Sequence, residues 1–259
     1  MPWNQTTGRS PSNRSLERGI AILRAFRPGS AVLGNADLSE RTQLPKSTVS
    51  RLTQTLVKTG MLYIDEISGG YRLAPAVLSL AHAMRSGSRI LAVAIPYMRD
   101  LAEQRRINVG LAMPDFDEMV YLESIRYGST GSLRSIVAGQ RIPMELTSLG
   151  RAYLASLPIE HRLSLFEIFR ERRSSHWPAL EAEILAAIES VDTHGYCAAS
   201  WQAEAVAISA PVLAPMQPSL FVNISISTVE PIEIVVKQHA TVLLELAALL
   251  KNELSMMND

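Results

Sequence analysis

Residues 44–60, LPKSTVSRLTQTLVKTG, carry two different faces at helical spacing. Val49, Leu52, Leu56 and Val57 return to one side of a helix, while Ser47, Ser50, Arg51, Gln54 and Lys58 occupy the other. The second side holds groups suited to phosphates and base edges. Taken alone, such a helix equally fits a solvated polar face, so its neighbours decide. Upstream, residues 15–26 (SLERGIAILRAF) place Leu16, Ile20, Leu23 and Phe26 on one stripe, with Ser12, Asn13 or Ser15 available as a cap. Pro28-Gly29-Ser30 ends that helix, and residues 35–42 read as a second, with Gly34 or Asn35 near its cap and Leu38 facing inward. Gln43-Leu44-Pro45 is then a turn, Pro45 suits the first turn of the following helix, and Gly60 suits a left-handed closing residue. Downstream, residues 61–64 and 71–73 are short strand candidates joined by Asp65 to Gly70 (DEISGG). Together these elements predict a winged helix-turn-helix.

Charge divides the chain at the same place. Residues 1–75 hold ten Lys/Arg against five Asp/Glu; since the whole chain has 25 of each, the remainder holds fifteen against twenty. A net charge of zero therefore hides a basic first part, favourable to a polyanion, and an acidic second part repelled by one. With 259 residues, of which 47% are hydrophobic, the chain can bury two ordinary cores. The single Cys197 excludes an intrachain disulfide framework and a cysteine-rich zinc site, and fits a reducing compartment. No segment approaches the roughly 20 apolar residues of a membrane span, and the polar start does not resemble a secretion signal. A cytoplasmic protein is expected.

Residues 76–86 place Val77, Leu80, Ala81 and Met84 at helical spacing before Ser86-Gly87-Ser88, which predicts a linker helix. The second part opens with a helix over 90–104, whose stripe includes Val93, Tyr97 and Leu101. Strands are expected at 108–113 and 119–124 around a polar turn, and at 132–137 before Gly139-Gln140-Arg141-Ile142-Pro143. Helices follow at 147–157, 160–172 and 178–193, then strands at 196–200, 206–213 and 220–227, and a last helix at 233–253. Blocks of strands and helices without regular alternation predict an α+β sheet domain. The expected organisation is a disordered lead-in over 1–12, a DNA-binding domain over 13–75, a linker helix over 76–88 and a second domain over 89–259.

In a winged helix the second helix of the motif enters the major groove. Lys46, Ser47, Thr48 and Ser50 are placed to approach DNA there; Arg51 suits guanine O6 and N7, and Gln54 suits adenine, although either could hold a phosphate instead. Within the wing, residues 68–72, ending in Arg72, either touch DNA or only close a hairpin.

The runs SLERGIAILRAF, LSERTQLPKSTVSRLTQTLVKTGML and SGGYRLAPAVLSLA resemble the DNA-binding domain of IclR-family transcriptional regulators. DEMVYLESI, AGQRIPMELTSLGRAYLASLP, AISAPV and VNISIST resemble segments of that family's second domain, so the resemblance covers about residues 13–250. It implies a winged helix joined by a linker helix to a GAF-like effector and oligomerisation domain, with a curved antiparallel sheet flanked by helices. It also implies homodimers or dimers of dimers on inverted-repeat double-stranded operators, and control by a small organic acid or related metabolite. By the same resemblance, effector contacts fall at Gly131, Arg134, Ile142, Ser148, Leu149, Ala205, Ala207, Ser225 and Ser227. Physical chemistry agrees with the helix start: free amides at Ser148, Leu149 and Gly150, at the positive end of a helix dipole, can hold a carboxylate. Arg134 could add a charge, and Ser225 and Ser227 would share a strand face. The chain departs from the family pattern at residues 195–201 (GYCAASW), at Ala207, where the family usually has cysteine, and at Leu149, where a small residue is frequent. A smaller, drier or differently shaped pocket is expected, suited to a carboxylate with an apolar or aromatic body.

An enzyme reading finds little support. Ser148-Leu149-Gly150 lacks the preceding glycine of a nucleophile elbow, and no phosphate loop or zinc-protease motif is present. His82, His161, His176, His194 and His239 are scattered, and Cys197 has only His194 near it. No catalytic residue, metal site or cofactor is expected. The alternatives are a small-molecule-binding or hydrolytic enzyme with an appended nucleic-acid-binding domain, and a scaffold.

Overall fold

Asn13 opens the first helix: its Oδ1 accepts from the amides of Ser15 and Leu16 at 3.1 and 3.2 Å, and α1 runs over Arg14–Arg24. The computed structural model describes residues 12–127 and 137–257. Contacts divide the chain into one unit ending at Ser88 and another beginning at Arg89. In the first, α2 (Asn35–Thr42) starts with the Gly34 amide donating to Asp37 Oδ2 at 2.8 Å and ends at Gln43, held left-handed at φ 56°. Ser39 Oγ spans the following turn to the Leu44 carbonyl at 2.6 Å. The Arg41 guanidinium donates to the Ala25 carbonyl and to Ser30 Oγ, both at 3.0 Å, tying α2 to the end of α1.

Pro45 caps α3 (Lys46–Lys58) from outside, at φ −56° and ψ 140°. The sequence reading put Pro45 in the first turn; its extended ψ belongs to the capping position, which the ring's φ also satisfies. Gly60 closes the helix at φ 72°, where a side chain would be strained. Strands β1 (Leu62–Ile64) and β2 (Tyr71–Leu73) pair antiparallel, Leu62 opposite Leu73, and Leu33 adds a bridge to Tyr71 through reciprocal bonds of 3.0 and 2.9 Å. Ile22, Leu33, Leu38, Val49, Leu52 and Leu62 form the core of this unit. The expected α1 stripe is only half realised: Leu23 and Phe26 pack against the core, Ile22 lies within it, and Leu16 and Ile20 are exposed along a groove beside α3. Helix α4 (Pro75–Ser86) buries no residue, and its predicted stripe leaves Leu80 and Met84 exposed.

The second unit is a six-stranded antiparallel sheet with helices on both faces. Its strands are β3 (Asn108–Asp115), β4 (Glu118–Ile125), β5 (Arg141–Pro143), β6 (Cys197–Gln202), β7 (Ala205–Val212) and β8 (Leu220–Ser227), in the order β5-β4-β3-β8-β7-β6. Helices α5 (Arg89–Arg105) and α9 (Ile232–Met256) share one core with Val109, Leu111, Ile208, Val222 and Ile224. On the opposite face, α6 (Ser148–Ala155), α7 (Ile159–Arg172) and α8 (Trp177–His194) share a second core with Tyr121, Ile142 and Phe221. Strand alternation sends Val222 and Ile224 to the first core and Phe221 and Asn223 toward the second. The α+β class predicted from the sequence is the class observed.

Three details differ from expectation. The fully buried stripe of α5 is Leu91, Ala94, Met98 and Ala102, one position away from Val93, Tyr97 and Leu101, which pack at its margin. Residues 141–143 form an edge strand where a loop was expected, and a short 3₁₀ turn, Ser174–His176, separates α7 from α8. The strand expected over 132–137 lies almost wholly outside the described residues.

Candidate nucleic-acid interface and sheet cleft

Helix α3 owes its orientation to three buried residues. Val49 and Thr53 are fully covered and Leu52 nearly so, which turns Ser47, Arg51, Gln54 and Lys58 outward on the opposite side. Thr53 satisfies its buried hydroxyl within the helix, at 3.0 Å from both the Val49 and Ser50 carbonyls. Lys46 and Ser47 are exposed in the first turn, whereas Thr48 and Ser50 are half-buried at the margins. Of the sequence-predicted DNA contacts, Lys46, Ser47, Arg51 and Gln54 are thus freely presented by one helix. Such a face carries two cations and an amide at the positions from which side chains address major-groove edges and phosphates.

Arg72 sits differently. Its Nε donates to Asp65 Oδ1 at 3.0 Å, across the hairpin from β2. Asp65 also receives Ser68 Oγ at 2.6 Å and the Ser68 amide at 3.2 Å, and its own amide donates to the Gly70 carbonyl at 2.8 Å. The Ser68 hydroxyl first, and then Arg72, hold the Asp65 carboxyl below its ordinary range. This latch shapes the wing and leaves Ile67 almost wholly exposed at its tip. The latch is local, yet composition alone did not reveal that Asp65 would organise it.

In the second unit, Thr147 caps α6: its Oγ1 accepts from the Gly150 amide at 3.3 Å and donates to the Pro143 carbonyl at 2.9 Å. The amides of Ser148 and Leu149 have no acceptor among the described residues. Gly150 permits the tight approach of the preceding loop, because a Cβ there would overlap the Met144 backbone. Ser148 Oγ lies 2.7 Å from Ser209 Oγ on β7, and Cys197 Sγ on β6 donates to the Ser148 carbonyl at 3.3 Å. Burial pushes the Cys197 thiol up to about 12, with Arg151 opposing that rise, so the group stays protonated at neutral pH.

A charged clamp holds the loop before α6. Glu145 is fully buried, with Oε1 accepting from Arg173 Nε at 3.0 Å and facing Arg172 Nη1 at 3.6 Å. The Glu145 carbonyl accepts from Arg151 Nε at 3.2 Å, and Arg151 reaches Glu183 at 2.7 Å. Arg141 on β5 pairs with Asp115 and Glu118, fastening the sheet edge beside the same loop.

These elements surround a cleft lined by Tyr121, Ile142, Thr147, Ser148, Leu149, Trp201, Ala207 and Asn223, with about 10 Å³ open to a water-sized sphere. Ile142, Ser148, Leu149 and Ala207 are brought together as the sequence reading expected. Ala205, Ser225 and Ser227 are not in the lining, although β7–β8 register sets Ala207 opposite Ser225 and Ala205 opposite Ser227. They share the strand face of Ala207 and Asn223 but lie farther along β7 and β8, where exposure rises to Ser227. Gly131 and Arg134 lie outside the described residues. Tyr121, Thr147, Trp201 and Asn223 were missed: their convergence depends on pairings across β4, β3, β8 and β7, and no short motif announces them. Burial raises the Tyr121 phenol well above its ordinary pKa, against a hydrogen bond from Asn223.

Among the described residues, no group of three or more His, Cys, Asp or Glu side chains is arranged to hold a metal ion. No described helix is long and apolar enough to cross a membrane.

Comparison with known proteins places these features in one family. Residues 15–66 match the IclR helix-turn-helix domain, and residues 82–249 match the bacterial transcriptional regulator IclR C-terminal domain. The HTH-type transcriptional regulator TsaQ1/TsaQ2 of Comamonas testosteroni is 34% identical over 183 residues, which are 70% of this chain and 66% of that protein, just under two thirds of its length. The crystal structure of an IclR family transcriptional regulator from Brucella abortus has a TM-score of 0.85 at 31% identity, covering 95% of this chain and 96% of that one. An IclR homolog from Microbacterium hydrocarbonoxydans, solved in complex with 4-hydroxybenzoate, shares the fold with a TM-score of 0.64 at 24% identity, over 93% of this chain and 98% of that one. The chain belongs to the IclR family of DNA-binding transcriptional regulators.

Proposed function

We propose that this regulator recognises an inverted-repeat operator through α3 and that a small carboxylic acid, held at the start of α6, sets its affinity for that operator. The observation that carries the DNA half is the single exposed face of Ser47, Arg51, Gln54 and Lys58, set opposite the buried Val49, Leu52 and Thr53. Arg51 suits a guanine edge and Gln54 an adenine edge; Lys46 and Lys58 suit phosphates, with Thr48 and Ser50 at the margins of the contact. Arg72 acts on DNA mainly through the wing that its Asp65 contact stabilises. A homodimer supplies the second half-site, with recognition helices roughly 34 Å apart or a multiple of that. Helix α4 favours such pairing, since Leu78, Leu80 and Met84 are exposed in the single chain and a second copy would cover them.

For the effector, the unpaired Ser148 and Leu149 amides favour an anion at the helix start. A fold neighbour's complex with 4-hydroxybenzoate is consistent with an acid, as is the apolar lining of Ile142, Leu149 and Trp201. The cleft as it stands is too small for such a molecule, so binding requires it to open, with Trp201 at its half-exposed rim the side chain freest to move. Ala207 would form part of the floor, while Ser225 and Ser227 would be reached only by a ligand extending along β8.

A mobility-shift titration on the DNA upstream of the chain's own gene tests the DNA half. If two copies each neutralise three phosphates, affinity falls roughly a thousandfold between 50 and 200 mM salt. A salt-independent shift, or none at low salt, would contradict the assignment.

A further inference from the structure

The tip of the wing presents one aliphatic side chain and no free cation. Ile67 stands in the turn between β1 and β2 and is 98% exposed. The turn that carries it is closely bonded. The Asp65 amide donates to the Gly70 carbonyl and the Gly69 amide to the Asp65 carbonyl, both at 2.8 Å, while Ser68 Oγ accepts from the Gly70 amide at 3.3 Å. Arg72, the only cation in the sequence from 65 to 72, is held on Asp65, and the neighbouring Glu66 is an exposed acid. Such a tip is poorly suited to grip phosphates. The hairpin is also fixed against α3, because Leu62 shares one core with Val49 and Leu52. At its other strand, Gly70 lies so close to the segment before α2 that a Cβ there would overlap the Val32 side chain and crowd the Leu33 backbone.

Lone exposed aliphatic side chains are ordinary on protein surfaces, but a turn that is already ordered loses little entropy when its tip is bound. With α3 in the major groove, a hairpin attached rigidly beside it reaches over the flanking phosphate backbone. From Leu62 to the tip the chain spans roughly 15 Å, at about 3.3 Å per residue, and the minor groove beyond is about 6 Å wide, a fit for a single side chain. Apolar side chains enter that groove by partly unstacking a base step, and pyrimidine–purine steps unstack at the least cost. We infer that Ile67 is an apolar wedge on the minor groove flanking the α3 half-site, and that it selects operators with a TA or CA step there. The inference rests on the reading of α3 given above. Glu66 repels phosphates and opposes the approach, which confines the contact to sites where α3 has docked and makes it a contribution to specific binding.

The test compares the full chain with Ile67→Ser and Glu66→Lys, two exposed positions where neither change disturbs a core. Binding is measured by fluorescence anisotropy on operator fragments whose flanking step is TA, CA or GC, and bending by energy transfer between the DNA ends. The wild type should bind the TA or CA fragments about fivefold more tightly than the GC fragment, and bend them more. Ile67→Ser should lose that preference and part of the bend with an unchanged melting temperature. Glu66→Lys should tighten binding to every fragment and steepen the logarithmic salt dependence by about one per copy, which reports that the tip lies beside phosphates. A wild type indifferent to the flanking step, or a preference that survives in Ile67→Ser, overturns the inference and leaves the reading of α3 intact. So does a Glu66→Lys variant with unchanged affinity and salt slope, or an Ile67→Ser change that alters only the association of free copies. No binding to any fragment overturns the reading of α3 and this inference with it.

Discussion

The α3 face and the sheet cleft are built in opposite ways. On α3, a single run of sequence supplies both the buried side that fixes the helix and the exposed side that addresses DNA. In the cleft, eight lining residues come from β4, β5, α6, β6, β7, β8 and the loop cap Thr147, and apart from the run Thr147-Ser148-Leu149 they meet only through the tertiary fold. A surface made by one helix can tolerate change on its polar side without loss of fold. A site made by the meeting of a sheet and a helix start cannot be altered without disturbing the packing that creates it.

That contrast sets the order of expected effects. Phe221 is fully buried on the cleft face of β8 and packs edge-on against Tyr153, with ring centroids 5.6 Å apart. Phe221→Ala should cost about 3–5 kcal/mol of stability, seen in thermal or denaturant unfolding; a cost below about 1 kcal/mol would show that the two sides of the cleft are only loosely joined. Arg51→Ala should weaken specific DNA binding by about 1–3 kcal/mol and leave the melting temperature unchanged. A variant that loses both together would erase the distinction between the two regions.

Smaller effects sharpen it. Ser148→Ala removes the hydroxyl contact to Ser209 without touching α3, so it should change the response to an acid while basal operator affinity stays within about twofold, measured by fluorescence anisotropy. The wing should loosen in acid. Because the Asp65 carboxyl is held below its ordinary value of 3.8, the stability it contributes is fully present above that value. It is lost as pH falls through the lowered native value, and the protection of the Ser68 and Gly69 amides, measured relative to their intrinsic exchange rates, should fall there but stay constant between pH 5 and 8. Asp65→Asn should show the reduced protection at neutral pH. Last, Cys197, with its thiol pushed up to about 12, should resist alkylation at pH 8 in the native protein and react on unfolding. Fast native alkylation would mean that the core behind Ser148 opens readily.

The same contrast explains what was legible in the sequence. The helix-turn-helix and hairpin could be read because Val49, Leu52, Pro45, Gly60 and the DEISGG connection act within a few residues of one another. A helix with apolar residues on several sides does not mark its buried stripe by periodicity alone. On α5 the buried line falls on Leu91, Ala94, Met98 and Ala102, and on α1 Ile22 replaces Leu16 and Ile20, because tertiary packing chooses among faces that periodicity leaves nearly equal. Strand β5 escaped notice because three residues ending in proline carry almost no alternation. The start of α6 and Ala207 were reached through family resemblance; Tyr121 and Asn223 required the actual strand register. Glu145 was equally hidden, since its burial depends on Arg172 and Arg173 arriving from the end of α7.

DNA reading is assigned to the exposed side of α3. The most direct measurement is the affinity of Arg51→Ala for the operator, compared with wild type at one salt concentration, with circular dichroism confirming the fold of both. The account predicts a loss of about 5-fold to 150-fold for the specific site and a much smaller loss on unrelated DNA. An unchanged affinity and footprint, with the fold intact, would contradict it.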